Sequence, residues 1–340
     1  MEIVRWGIVG CGDVTEVKSG PGFQKATGSA LAAVMRRDFA KAEDFARRHG
    51  VPRVHRHADD LIDDPGVDAV YIATPPDSHC ELALRVAAAG KPCLVEKPMA
   101  LNHAECLRMT AAFRERGVPL WVAFYRRALP RFLLVLDLLR QQAIGQLTSI
   151  HVELFDRLTT GDGALVWRFD PAASGGGLFF DRGSHTLDLV DFLAAPIREV
   201  SGTSWNTGGT YAAEDVTVAS YIVESNVPGT GVWNFNADAS LDRLRFVGAE
   251  GHLVTPIFID GDVVIARDGK SEVHAVRNPP HVHQPLIQTI VDELNGRGRC
   301  ESTGDSGART SWVMDRCVAT YYSSRGDSHL FANSNSPAKR

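Results

Sequence analysis

The N-terminal stretch through residue 38 constrains the fold more than any other part of the chain. It holds an apolar run over residues 3–9, the turn Gly10-Cys11-Gly12, a helical stretch, a second apolar run over residues 30–35, then Arg36-Arg37. Strand, glycine turn, helix and strand in that order open a dinucleotide-binding βαβ unit. The first glycine lets the strand turn sharply, and the second lets backbone N–H groups approach a pyrophosphate with no Cβ in the way. A helix beginning at Asp13 and Val14 aims its positive end at the phosphates. Gly10, Gly12, Asp13 and Val14 are therefore the candidate cofactor cradle. Arg36 stands at the end of the second strand, about where an acid usually holds the ribose 2′-hydroxyl of NAD. Arg36 and Arg37 suit a 2′-phosphate better, because guanidinium groups carry a permanent charge and forked donors. NADP is the expected cofactor, with NAD the alternative. The third fingerprint position, normally small so that helix packs on strand, holds Thr15. Lys18-Ser-Gly-Pro-Gly22 is expected to interrupt the first helix.

At 340 residues the chain exceeds one ordinary core and suits two domains. Its hydrophobic share is 44% and its charged share 23%, as in soluble globular proteins. No apolar stretch reaches the ~20 residues of a membrane span, and Met1-Glu2 runs straight into a strand without a leader pattern. A cytoplasmic protein with no membrane partner is expected. The net charge of −5 comes with scattered basic residues, not the concentrated positive face that nucleic acid requires. Six cysteines form no Cys-x-x-Cys pair, so buried reduced thiols and no metal are expected. His281-Val282-His283 lacks accompanying Asp or Cys ligands and reads as a helix-start pair.

Helical patterns over 40–50, 78–89 and 102–116 alternate with unalternated apolar strands over 67–73, 92–95 and 120–124. Such strands belong to a parallel sheet covered on both faces. The texture changes from residue 147. Period-two strands over 147–155, 216–222, 231–235, 244–247 and 263–266 are joined mainly by turns, with helices at 184–193, 285–294 and 307–322. The fold class is thus α/β: an N-terminal Rossmann domain with a parallel sheet (1–125), then a C-terminal α+β domain with a mostly antiparallel open sheet (126–340). The exposed sheet face suits a homodimer or homotetramer contact.

Two groups could do chemistry. The strand over 92–95 ends in Glu96-Lys97-Pro98, and ligands of open α/β sheets sit outside the carboxyl ends of the strands. In the second domain, Gly175-Gly-Gly177 precedes Asp181 and His185, four residues apart. On a helix such a pair shares a face, so the carboxylate can orient an imidazole suited to proton exchange near neutral pH. Trp205, Asn206, Trp233, Asn234 and Asn236 could face substrate or sheet, and substrate selectivity is assigned to loops over 125–170 and 205–240.

Taken together, Gly10-Cys-Gly12, Thr74-Pro75-Pro76-Asp-Ser-His79, Ala89-Gly-Lys-Pro-Cys-Leu-Val-Glu96-Lys97-Pro98, Trp167-Arg168, and Gly175-Gly-Gly177 through Asp181 and His185 resemble the glucose-fructose oxidoreductase, inositol dehydrogenase and MocA family. The resemblance implies that Lys97 touches the nicotinamide ribose and the reacting oxygen, that His185 exchanges the proton, and that Asp181 assists. It implies cofactor contacts for Thr74, Pro75, His79, Glu96, Trp167 and Arg168. It places Tyr125 and Arg126, with Arg127, at the border of the substrate. The implied activity is reversible hydride transfer between the nicotinamide and a carbinol carbon of a sugar, polyol or related alicyclic alcohol. A catalytically silent cofactor-binding regulator on the same scaffold is the alternative. Such a protein could lose Lys97, Asp181 and His185, all of which this chain keeps.

Overall fold

A computed structural model describes residues 3–157 and 167–326. The chain forms two compact units, one of Met1–Ala100, Glu105–Leu129 and Pro279–Ala308, the other of Leu101–Ala104, Pro130–Asn278 and Arg309–Arg340.

In the first unit, β1 (Val4–Val9), β2 (Ser29–Met35), β3 (Arg53–His55), β4 (Ala69–Ile72), β5 (Cys93–Val95) and β6 (Leu120–Val122) make a sheet in the order β3-β2-β1-β4-β5-β6. All its pairings are parallel. Between the strands run α1 (Gly20–Lys25), α2 (Phe39–His49), α3 (Ala58–Ile62), α4 (His79–Ala88) and α5 (His103–Arg116). Strands β4, β5 and the edge strand β6 are buried throughout, as their continuous apolar runs require. β3 and α3 were not expected from the sequence; β3 has three half-buried residues and little pattern of its own. Strand order reverses between β1 and β4, the switch point beside which open α/β sheets bind ligands.

The expected break at Lys18-Ser-Gly-Pro-Gly22 does not occur. The helix starts at Asp13, widens into a π-helical turn over Thr15–Ser19 and continues directly as α1. Gly20 donates its N–H to Thr15 O, and a Cβ at Gly20 would lie 2.2 Å from that same oxygen. The wider turn is thus available only to glycine there. Pro21, two residues into α1, has no N–H to donate, so one bond of the ladder is missing where the π turn gives way to α1.

The second unit contains α6 (Pro130–Arg140), β7 (Leu147–Arg157), α7 (Pro171–Ser174), α8 (Ser184–Leu193), β8 (Ile197–Trp205), β9 (Val216–Val223), β10 (Pro228–Asn234), β11 (Asn236–Gly248), β12 (His252–Thr255), β13 (Val263–Arg267) and β14 (Lys270–His274). Eight strands pair in the order β14-β13-β12-β11-β7-β10-β9-β8, all antiparallel except β10 on β7. Registers align one outward row: Ser201, Ser220, Thr230, His151, Arg245, Val254, Val264, Val273. The other face carries the fully buried Ile150, Val152, Leu154, Trp233, Leu244 and Phe246. Trp233 is therefore core, and its Nε1 donates to Thr186 on α8 at 2.9 Å. Trp205, at the end of β8, is 63% exposed. Most of 205–240 is strand rather than loop, and within 125–170 residues 158–166 lie outside the described residues.

Two helices follow, α9 (Gln284–Leu294) and α10 (Gly304–Ser324). α9 returns to the first unit, which also runs past the expected boundary at 125 to Leu129. The cause is apolar: Leu286, Ile287, Ile290 and Val291 are buried, and Ile287 packs so tightly on Gly22 that a Cβ there would lie 2.9 Å from its Cδ1. In the second unit α10 backs the sheet, where a Cβ at Gly202 would lie 2.7 Å from Cys317 Cα. Among the described residues no helix is long and apolar enough to cross a membrane, and no group of three or more His, Cys, Asp or Glu could hold a metal ion.

Candidate active site

At the switch point, Gly10 ends β1 with φ +93°, and a Cβ there would lie 2.7 Å from Thr74 Cγ2, just past β4. Both the turn and the close approach of the two strand ends need glycine. Gly12 differs: a Cβ would meet nothing nearer than Gly10 O at 3.9 Å. Its own packing gives no reason for a glycine, whereas a group lying against the backbone at the helix start would give one. Asp13 is exposed and Val14 half-buried at that start. Thr15 is buried, and its hydroxyl donates to Gly12 O at 2.6 Å, so the misfit in the fingerprint is absorbed as a brace across the turn. Arg36, at the end of β2, reaches back so that Nη1 donates to Cys11 O at 3.2 Å; Arg37 is exposed beside it. Burial pushes the Cys11 thiol up to about 11, leaving it neutral. An open glycine, a helix start and two guanidinium groups fit the pyrophosphate and ribose end of a nicotinamide dinucleotide.

Thr74 and Pro75 cap the next strand end, where the Ser78 hydroxyl donates to Thr74 Oγ1 at 2.7 Å and lies 2.9 Å from Pro75 O. His79 is fully buried. One ring nitrogen faces Thr74 O at 2.8 Å and the other Pro98 O at 3.1 Å. Burial lowers its pKa. The neutral ring can donate to only one of these carbonyls, and lying between them it packs the Thr74 turn against the Lys97-Pro98 turn.

Glu96 follows β5 and is equally enclosed, at 7% exposure. Its Oε1 accepts the Tyr71 hydroxyl, and its Oε2 accepts the Lys97 N–H at 3.1 Å. Burial raises the carboxyl above its usual range against the pull of Lys97 and those donors. Tyr71, buried beside it, is pushed well above the usual phenol value by burial and by Glu96. Lys97 is half-buried at the strand end, in a cis peptide with Pro98. Tyr125 and Arg126 form a buried 3-10 turn after β6, with the Arg126 guanidinium over the Tyr125 ring at 4.8 Å. The opposite side of this group is unexpected. His283, dismissed from the sequence as a helix start, stacks on Tyr125 at 4.5 Å with Nδ1 3.8 Å from Glu96 Oε1.

In the second unit, Gly175 caps α7 with φ +83°, Phe179–Gly183 forms a second π-helical turn, and α8 follows without a break. Asp181 sits in the π turn and His185 in the first turn of α8. His185 is buried and meets Phe258 edge-on at 5.9 Å. Asp181 Oδ2 lies 3.2 Å from Arg168 Nε, and the same guanidinium lies 4.7 Å over the Trp167 ring. Spacing pairs Asp181 with His185, and the ion pair with Arg168 is additional. Arg182 donates to Asp156 at 2.5 Å and covers Phe258, which fixes the wall behind His185. The glycine loop is anchored by Glu214, which accepts the Gly177 N–H at 2.8 Å and the Tyr322 hydroxyl at 2.5 Å. Burial pushes Glu214 up to about 7. No motif pointed to Glu214, because its role is set by burial opposite a glycine N–H distant in sequence.

A nucleotide-binding parallel sheet joined to a side-chain-bearing mixed sheet defines a nicotinamide-dependent oxidoreductase architecture. Residues 4–124 match the model of the oxidoreductase family with an NAD-binding Rossmann fold, GFO/IDH/MocA, and residues 132–254 match the GFO/IDH/MocA C-terminal domain. Oxidoreductase P35 of Formosa agariphila is 35% identical over 315 residues, 92% of this chain and 97% of that protein. The 1,5-anhydro-D-fructose reductase of Ensifer adhaerens is 25% identical over 308 residues, 89% and 92% of the two chains. Levoglucosan dehydrogenase, solved with NADH and levoglucosan, superposes with a TM-score of 0.82 at 20% identity, covering 98% of each chain. The chain belongs to the GFO/IDH/MocA oxidoreductase family and is an enzyme of that family.

Proposed function

We propose that this enzyme moves hydride between NADP and a carbinol or carbonyl carbon of a sugar, polyol or related alicyclic alcohol. The observation that carries the cofactor half is the pairing of an open Gly12 with Arg36 held against Cys11 O. Gly10, Gly12, Asp13 and Val14 would hold the pyrophosphate, and Arg36 and Arg37 the 2′-phosphate. Thr74, Pro75, Lys97, Trp167 and Arg168 would border the cofactor, with Glu96 and His79 fixing the turns beneath it. Bound nicotinamide supplies the hydride donor or acceptor. His185, with Asp181 assisting, takes or returns the hydroxyl proton. Lys97 stabilises negative charge as it develops on the oxygen, and removing one such group typically costs ~2.7 to 4 kcal/mol of barrier. Tyr125 and Arg126 would touch substrate hydroxyls.

Relatives named for anhydrosugars support a polyhydroxylated ring as the substrate class. The outward face of the second sheet, with Val218 47% and Val273 57% exposed, is the face proposed for a homodimer or homotetramer. The test is NADPH oxidation followed by fluorescence on a carbonyl panel that includes 1,5-anhydro-D-fructose. Turnover on at least one member is expected, and Lys97→Ala should reduce it by ~10² or more with NADPH affinity within about tenfold. Tight NADPH binding with no turnover on any member would overturn the proposal.

A further inference from the structure

His283 reaches the Lys97 turn from the late segment that folds back onto the first unit, and nothing in the hydride-transfer reading uses it. Its carbonyl accepts the Ile287 N–H at 3.0 Å, which fixes its backbone at the start of α9. Its ring is held flat against Tyr125. The residue is 2% exposed, and its Nδ1 is buried without a hydrogen-bond partner among the described residues. The acceptor it faces is Glu96 Oε1, at 3.8 Å.

The charges around the pair decide which form of the ring belongs there. Lys18 from the π turn, Lys97, and Arg126 from the turn after β6 all oppose a proton on His283, and burial opposes it most, bringing it to about 3. The ring is therefore neutral and has one N–H. A lone pair at Nδ1 would face a carboxylate oxygen, so the N–H belongs on Nδ1. Glu96 in turn is faced by the Tyr71 hydroxyl, the Lys97 N–H, the charges of Lys97 and Lys18, and His283. Each donor favours the carboxylate that burial disfavours, and a carboxylate offers acceptors at both oxygens without a proton on either.

We propose that His283 is a positioning residue for Lys97, its Nδ1–H closing on Glu96 Oε1 so that the carboxylate stays aimed at the Lys97 N–H. The inference rests on the reading of Lys97 as the group that meets the reacting oxygen.

The test pairs His283→Phe with His283→Asn in NADPH-dependent reduction of 1,5-anhydro-D-fructose. Phe keeps the stack on Tyr125 and removes the donor, whereas Asn places an amide N–H near where Nδ1 lies. His283→Phe should lower kcat at neutral pH by about tenfold and move the acid limb of the kcat profile up by about one pH unit, with KM and NADPH affinity within about threefold. His283→Asn should keep kcat within about threefold of the parent. Nitrogen-15 NMR of the labelled parent should show His283 protonated at Nδ1 and bare at Nε2 from about pH 6 to 9, a readout independent of turnover and of the variants' folding. The opposite tautomer would overturn the inference, as would equal behaviour of the two variants. If Lys97→Ala loses turnover while His283→Phe keeps the parent profile, the inference alone fails. If neither changes turnover, the reading of Lys97 fails first.

Discussion

The two sheets offer chemistry in different currencies. In the first unit, β4, β5 and β6 are buried end to end, and the candidate groups gather at the strand ends: the turn at Gly10, the uncrowded backbone at Gly12, Arg36 against the carbonyl of Cys11, and Lys97 after β5. In the second unit, β9 and β10 alternate between buried and exposed residues, and the candidate groups are side chains, Asp181 and His185, carried by a π turn and a helix packed on the buried face. A parallel sheet covered on both faces can present only its strand ends to a ligand. A one-sided sheet instead leaves a helix free to carry side-chain chemistry and an outer face free for contacts.

The sharpest way to test that contrast is to damage each face of the second sheet. Trp233→Ala should cost about 3 to 5 kcal/mol, because a fully buried indole and its hydrogen bond to Thr186 under α8 are lost. Trp205→Ala, on the 63% exposed residue, should stay within about 0.5 kcal/mol. Denaturant titration of both variants measures the difference; equal losses would break the distinction between the faces. In the first unit, Gly10→Ala should cost roughly 1 to 3 kcal/mol and weaken NADPH binding, because the positive φ and the contact with Thr74 coincide. Gly50→Ala, with φ +65° but nothing within 4 Å of the new Cβ, should cost only about 1 kcal/mol and leave binding intact.

Smaller effects refine the picture. Arg36→Asp should shift the ratio of NADPH to NADH affinity by about tenfold towards NADH, and a parent that already prefers NADH would remove the 2′-phosphate argument. The last effect is a pH slope. Burial raises Glu214 from its ordinary 4.5 to about 7, so its contribution to stability is complete below the lower value and is lost as pH rises through the upper one. The parent should therefore lose stability from pH 4.5 to 7 relative to Glu214→Gln, by no more than about 1.4 kcal/mol per pH unit. Parallel stability profiles for the two proteins would show that Glu214 does not titrate there.

Legibility followed the same divide. The glycine turn, the longer apolar strands and the longer helices of the first unit could be read directly, because each residue's own propensity agrees with its place. β8 and β14 could not. β8 reads Ile-Arg-Glu-Val-Ser-Gly-Thr-Ser-Trp and β14 Lys-Ser-Glu-Val-His; both are edge strands whose pairing to β9 and β13 decides their state. α6 and α3 were missed as well, and the break expected at Pro21 became a π turn because Gly20 tolerates the close carbonyl of Thr15. Among candidate site residues, Lys97 was visible from its place after a strand and His185 from its spacing to Asp181. Arg168 beside Asp181, Glu214 beneath the glycine loop and His283 beside Glu96 were not, since each depends on a partner far away in sequence.

The proposal that Lys97 and His185 serve one chemical step is tested most directly by a double-mutant cycle. Turnover is measured for the parent, Lys97→Ala, His185→Ala and the double variant, with NADPH affinity followed in parallel. Groups acting as a unit give single losses of ~10² or more, and a double loss little larger than either single one, at affinities within about tenfold of the parent. Near-parental turnover in either single variant, or losses that multiply in the double variant, would contradict it.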